Sequence, residues 1–272
     1  MPSITSHGVY DAMEPQQLAR TAADLVPRVA QFTVVAKKNR TALEAMGVPP
    51  ERIHTLANAI DERPIRPPAR TELGIPEQAF VACLVSRAIR EKGWEVAIEA
   101  VQLARIQTGA NVHLLLVGSG PELQRLRGLH QEAWIHFLGF QPSGSDWFAC
   151  ADMGLLPSWF SSESRPFTLL ECLRAGRPYI ASDLGEIRSM LRTERGLAGA
   201  VIPLREGLAD VAGFAAAISA YVLDPEKREE HAALARQLAA ESSGPAIAAA
   251  YGAVYRLALS TPQAQRQPHL RK

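Results

Sequence analysis

Val112-His113-Leu114-Leu115-Leu116-Val117-Gly118-Ser119-Gly120-Pro121-Glu122-Leu123 sets a short apolar, β-branched run against two glycines and a proline that opens a helix. Strand, tight turn and helix start are the parts from which parallel α/β sheets are built. Five further runs have the same character, so strands are predicted at residues 80–85, 112–117, 134–138, 153–156, 179–181 and 197–202. Between the first two, Trp94, Ala97, Ile98 and Val101 fall at i, i+3, i+4 and i+7, one buried helical stripe. A second helix is predicted at 167–175, with Pro166 ahead of it, Gly176 just past its end and Pro178 beyond. Six strands with interleaved helices predict a doubly wound sheet of Rossmann type, whose ligand lies outside the carboxyl ends of the strands.

Outward from this sheet, Asp61-Glu62-Arg63-Pro64-Ile65-Arg66-Pro67-Pro68-Ala69-Arg70 reads as an interdomain linker. Ahead of it, residues 1–60 offer a strand at 31–36, a helix at 39–46 and a strand at 53–56, a partial α/β piece with a marginal core of its own. The sheet domain is expected at 71–240, with helices at 207–223 and 225–240. A final helix at 244–259 falls in a segment, 241–259, expected to return to the N-terminal piece, and a polar tail follows at 260–272.

Composition narrows the function classes. In 272 residues, 47% hydrophobic and 21% charged, a disordered chain is excluded over most of the length. Lys plus Arg number 29 against 28 Asp plus Glu, so no global field draws in nucleic acid or an anionic membrane. The longest apolar run, 246–255, falls short of the roughly 18 residues a bilayer span needs. The start, Met1-Pro2-Ser3-Ile4-Thr5-Ser6-His7, has neither the basic nor the apolar block of a secretory signal, and a cytoplasmic protein is expected. Cys83, Cys150 and Cys172, without a Cys-X-X-Cys spacing, read as small core residues.

Few residues present themselves for chemistry. Gly118 and Gly120 supply two of the three glycines of a dinucleotide fingerprint, a pattern that an ordinary strand-to-helix turn also satisfies. Arg87 and, five residues on, Lys92 put two cations in one loop at the carboxyl edge of the sheet, either a phosphate site or solvated loop charges. Glu163 and Glu171 flank the entry to the second helix. Carboxylates there can accept strong hydrogen bonds from sugar or ribose hydroxyls, or lie on the surface. No P-loop, His-Glu-X-X-His, Gly-X-Ser-X-Gly or Asp-X-Asp sequence occurs, which argues against metal-held phosphate chemistry and a serine-hydrolase elbow.

Taken in order, these stretches resemble the family 4 glycosyltransferases of the GT-B fold. Val85-Ser86-Arg87-Ala88-Ile89-Arg90-Glu91-Lys92-Gly93 is similar to the family's diphosphate loop, and Leu115-Leu116-Val117-Gly118-Ser119-Gly120-Pro121 to its next strand and turn. Ile135-His136-Phe137-Leu138-Gly139-Phe140 is similar to its nucleobase segment. Pro157-Ser158, then Ser162-Glu163-Ser164-Arg165-Pro166-Phe167-Thr168-Leu169-Leu170-Glu171 and Ala175-Gly176-Arg177-Pro178, reproduce its glutamate pair. Asn58-Ala59-Ile60-Asp61 resembles its domain junction, and Thr5-Ser6-His7 a strand end in its acceptor domain.

The resemblance implies a complete Rossmann-like donor domain and an N-terminally shortened acceptor domain. It implies transfer of a sugar from a nucleotide diphosphate donor to a glycan or lipid-linked acceptor, with retention and without a metal or other cofactor, as in polysaccharide biosynthesis. Arg87 and Lys92 would hold the diphosphate and stabilise the leaving group, while Glu163 would contact the donor sugar and Glu171 the ribose. Gly118, Gly120, Phe140, Arg165, Phe167, Thr168 and His7 complete the implied substrate contacts. Ser164-Arg165-Pro166 departs from the family's glycines, so Arg165 would meet a donor anion or a neighbouring glutamate. The shortened N-terminus leaves room for a partner chain and for peripheral membrane contact. Two other readings stand beside this one, an inactive nucleotide-sugar-binding subunit and a nucleotide-sugar epimerase of similar fold.

Overall fold

The computed structural model describes residues 3–6, 10, 13–59, 63–242 and 244–261, apart from the side chains of residues 38 and 246. The chain divides into two compact units, Ile60–Glu241 and a second formed by Met1–Ala59 with Ser242–Lys272.

The smaller unit carries a parallel sheet of β1 (Ser3–Ser6), β2 (Gln31–Val34) and β3 (Ile53–Thr55) in that order. Helices α1 (Pro15–Leu25) and α2 (Lys37–Ala45) lie between the strands in sequence. Phe32, Val34, Leu43, Val48 and Ile53 form its core. Arg52 ties the connections together, donating from Nη2 to the Val26 carbonyl at 2.8 Å and from Nε to that of Ala30 at 3.0 Å.

The larger unit is built on six parallel strands. Strand β4 (Phe80–Val85) is followed by helix α3 (Trp94–Thr108), β5 (Val112–Val117), α4 (Pro121–Leu129) and β6 (Ile135–Gly139). The chain continues through α5 (Gly144–Cys150), β7 (Met153–Leu156), α6 (Phe167–Arg174), β8 (Tyr179–Ser182) and α7 (Ile187–Leu191). A small antiparallel pair, β9 (Arg192–Thr193) with β10 (Gly196–Leu197), leads to β11 (Gly199–Ile202), and α8 (Val211–Leu223) and α9 (Pro225–Glu241) follow. Helix α10 (Gly244–Ser260) belongs to the smaller unit, where it packs on β2. Among the described residues no helix is long and apolar enough to cross a membrane.

Strand order is β11-β8-β7-β4-β5-β6. From β4 the chain winds outward through β5 and β6, then returns to the other side of β4 and winds outward through β7, β8 and β11. The topological switch therefore lies between β4 and β7, where ligands of doubly wound sheets bind. Alternate side chains feed two layers. Val81, Cys83, Leu115 and Val117 pack with α5, α6, α7 and α9, while Ala82, Leu84, Leu114 and Leu116 pack with α3, α4 and α8.

Three sequence expectations change. The strand expected at 197–202 is two pieces, because Leu197 pairs back onto Arg192 and the sheet ladder starts only at Gly199. Residues 207–210 stay outside α8, since an Arg205–Leu208 bridge turns the chain and Gly207 adopts φ +78°. The stretch from Arg63 to Arg70 is docked on the larger unit: Arg70 donates to the carbonyls of Cys150 (2.8 Å) and Ala79 (3.0 Å) and pairs with Asp152 at 3.0 Å. Asp152 also accepts the Val81 N–H at 2.8 Å, so the linker locks the start of β4.

Inside this sheet His113 and His136 face each other across β5 and β6, Nδ1 to Nε2 at 3.0 Å. Burial, then the neighbouring His136, Arg105 and Arg70, push the His113 imidazole down to about 4. The unfolded chain, titrating near 6.5, therefore takes up this proton before the folded one does. Stability is expected to fall as pH drops from about 6.5 to about 4, with His113 accounting for up to about 3 kcal/mol. Urea unfolding across that window should show a shallower acid loss for His113→Leu than for the wild type; superimposable profiles would refute the contribution.

Candidate functional site

Two loops meet at the switch point. The loop after β4 closes in a single tight turn, Arg90–Lys92, which hands over to Gly93 at the start of α3. The loop after β7 runs from Pro157 to Pro166 and enters α6. Glu91 joins them: its carbonyl accepts the Trp159 N–H at 2.8 Å and the Ser158 hydroxyl at 3.1 Å. Gly93 allows the approach. With φ +73°, its hydrogen faces the Pro157 carbonyl, where a Cβ would stand 1.9 Å from the oxygen.

Across this junction Lys92 Nζ donates to Glu163 Oε2 at 2.5 Å. Both residues are buried, at 9% and 6% exposure. Neither is the solvated loop or surface charge that spacing alone left open. Lys92 also lies 4.9 Å from the Phe160 ring centroid, and the exposed Arg87 guanidinium lies 5.2 Å from the same ring. The site thus collects two cations and one carboxylate within the reach of a small anionic ligand.

Helix α6 supplies the second half. No side-chain hydrogen bond from its N-cap residue, Pro166, closes its first turn, and the positive end of the helix dipole lies there, four residues on from Glu163. The Thr168 hydroxyl is 3.2 Å from the hydroxyl of buried Tyr179, which anchors that turn to β8. Further along α6, Glu171 Oε1 accepts the N–H of Gly144 at 3.0 Å, at the start of α5. Phe140 and Phe167 project outward, 73% and 53% exposed.

Arg165 is partly buried, and burial lowers its pKa while the charge of Glu186 counteracts the shift. Gly118 and Gly120 serve chain packing. Added Cβ atoms would meet the carbonyls of Ser86 at 1.8 Å and Ala88 at 2.4 Å, so these glycines press the β5 turn onto the β4 loop. His7 lies outside the described residues. Phe160 carried no sequence signal; only the fold brings its ring to Arg87 and Lys92. Beside α5, Arg63, Arg66, Ser143, Asp146 and Arg174 line a separate open groove of about 340 Å³.

Residues 79–224, more than half of the chain, match the family described as Glycosyl transferases group 1. The lipopolysaccharide core biosynthesis glycosyltransferase LpsD of Rhizobium meliloti is 33% identical over 181 residues, covering 65% of this chain and 49% of that protein. The N-acetyl-alpha-D-glucosaminyl L-malate synthase of Bacillus anthracis is 34% identical over 152 residues, 53% of this chain and 39% of that protein. The chain spans about half the length of the curated relatives it matches. Among solved structures, Anabaena Alr3699/HepE in complex with UDP superimposes with a TM-score of 0.78 at 20% identity, over 93% of this chain and 71% of that one. Sucrose-phosphate synthase from Thermosynechococcus elongatus gives 0.73 at 22% identity, over 95% and 67%. These two proteins fix the fold as GT-B.

The contact at Gly93 yields a paired comparison. Gly109, with φ +67° and open space around it, is the control, and Gly109→Ala should cost only the left-handed penalty of about 1–2 kcal/mol. Gly93→Ala pays a similar penalty and must also displace the Pro157 loop, so its loss in chemical denaturation should be clearly larger. Equal losses would mean that the loop junction does not constrain the fold.

Proposed function

Because the chain belongs to the group 1 glycosyl transferases, we propose that its larger unit binds a nucleotide diphosphate sugar and presents it for transfer with retention of configuration. The observation that carries this reading is the buried Lys92–Glu163 pair at the switch between β4 and β7. Anabaena Alr3699/HepE, of similar fold, is described in complex with UDP and with UDP-glucose, which supports a donor of that class here.

In this reading Arg87, Lys92 and the first turn of α6 face the diphosphate. Their positive potential stabilises the charge that develops on the leaving group, so the chemistry is proposed to proceed without a metal. Glu163 turns a carboxylate oxygen to a hydroxyl of the donor sugar. Glu171, holding the start of α5, exchanges part of that contact for the ribose hydroxyls. Both glutamates position the donor rather than exchange protons at the bond. The proposed acceptor is a glycan or lipid-linked sugar, and a partner chain or further residues of the same protein are proposed to complete its binding side.

Titration of UDP, GDP and dTDP into the chain with a chelator present should give saturable binding of at least one. A divalent requirement for all three would contradict the proposed phosphate site. Glu171→Ala should weaken the nucleotide and its sugar conjugate alike, by about tenfold or more for a lost charge-assisted hydrogen bond. Glu163→Gln should weaken only the sugar conjugate, because Lys92 stays available to the phosphates. Equal losses of both ligands in Glu163→Gln would remove Glu163 from sugar recognition.

A further inference from the structure

We propose that Phe160 is a positioning residue that holds Arg87 and Lys92 together as one preformed receptor for the donor diphosphate. This rests on the donor-binding reading above. The two cations come from opposite ends of the β4 loop, and the ring that both approach comes from the β7 loop on the other side of the switch. Like charges brought together repel, and the negative face of an aromatic ring offsets that repulsion without neutralising either charge. A carboxylate in the same place would pair with both cations and compete with the incoming phosphates.

The ring is held in place. The Ser158 hydroxyl accepts the Phe160 N–H at 3.1 Å and itself donates to the Glu91 carbonyl at 3.1 Å. The Phe160 carbonyl accepts the Glu163 N–H at 2.9 Å. Ring, Lys92 turn and Glu163 are therefore one hydrogen-bonded assembly. Within it the two cations differ. Lys92 is buried and fixed by Glu163, whereas Arg87 is exposed and its guanidinium rests on the ring. Phe160 thus acts chiefly through Arg87, lowering the ordering cost that a free arginine side chain would bring to ligand binding.

The test is calorimetric titration of UDP, GDP and dTDP with a chelator present, on the wild type, Phe160→Leu, Phe160→Tyr, Arg87→Gln and the double variant F160L/R87Q. Thermal denaturation of each variant establishes folding. Phe160→Leu is expected to lose about tenfold in affinity for the nucleotide that the wild type binds, while Phe160→Tyr, which keeps the π face, stays within about threefold. In the Arg87→Gln background the leucine change should cost about twofold or less. If Phe160→Leu does not fold, Phe160→Tyr and Phe160→Met carry the same comparison, tyrosine retaining affinity and methionine losing it. Wild-type affinity in Phe160→Leu, or full additivity with Arg87→Gln, would overturn the role of Phe160 and leave the donor reading intact. Failure of the wild type to bind any of the three nucleotides would overturn the donor reading, and this inference with it.

Discussion

The Lys92–Glu163 pair joins residues 71 positions apart across the switch point of the sheet, and the geometry of the site follows from it. A lysine and a glutamate taken out of water recover the cost only if the contact is close and the surroundings hold it. The surroundings do so through Glu91, which draws the β7 loop onto the Lys92 turn, and through Gly93, which lets the Pro157 carbonyl in. Removing one partner would strand a buried charge, at about 3–5 kcal/mol. The pair as a whole adds little stability that two apolar side chains could not supply. What it adds is a cation and a carboxylate held ready at the place where a doubly wound sheet receives its ligand.

This arrangement explains why the rest of the larger unit is so regular. Strands β4 and β7 must be neighbours for their loops to meet, and their positions are set by two apolar layers that alternate along every strand. The Arg70–Asp152 bridge ties the entering chain to the start of β4, at the other end of the strand from the site. The glycines of the β5 turn bring a third loop against the β4 loop. The site is thus a junction of loops bonded and packed against one another on a buried sheet, an arrangement suited to preorganised electrostatics.

Much of this fold was legible in the sequence, because strand runs, helix stripes and proline–glycine punctuation are local signals. Where a boundary failed, a local pairing had intervened, as when Leu197 turned back to Arg192 ahead of β11. The site was legible only in part. Arg87, Lys92, Glu163 and Glu171 were visible as residue types at suggestive positions, but the burial of Lys92 and Glu163 arises from contact between distant loops, which spacing cannot display. Gly118 and Gly120 are legible as a strand-to-helix turn, whereas their close approach to the Ser86 and Ala88 carbonyls is a contact between loops that spacing does not display. Phe160 carries no local signal, and three-dimensional proximity alone connects it to the cations. The family match covers residues 79–224, the portion that holds this junction, while the chain spans about half the length of its relatives. Donor binding is accordingly the part of the activity that is proposed for these residues.

The most direct measurement is a crystal structure of the chain with the tightest-binding nucleoside diphosphate, grown with a chelator present. The phosphates should lie within about 3 Å of Lys92 Nζ and the Arg87 guanidinium, against the first turn of α6, with the ribose at Glu171. Phosphates seated instead in the groove of Arg63, Arg66 and Arg174, with the Lys92–Glu163 pair undisturbed and no nucleotide at the switch point, would contradict the assignment of that junction as the donor site.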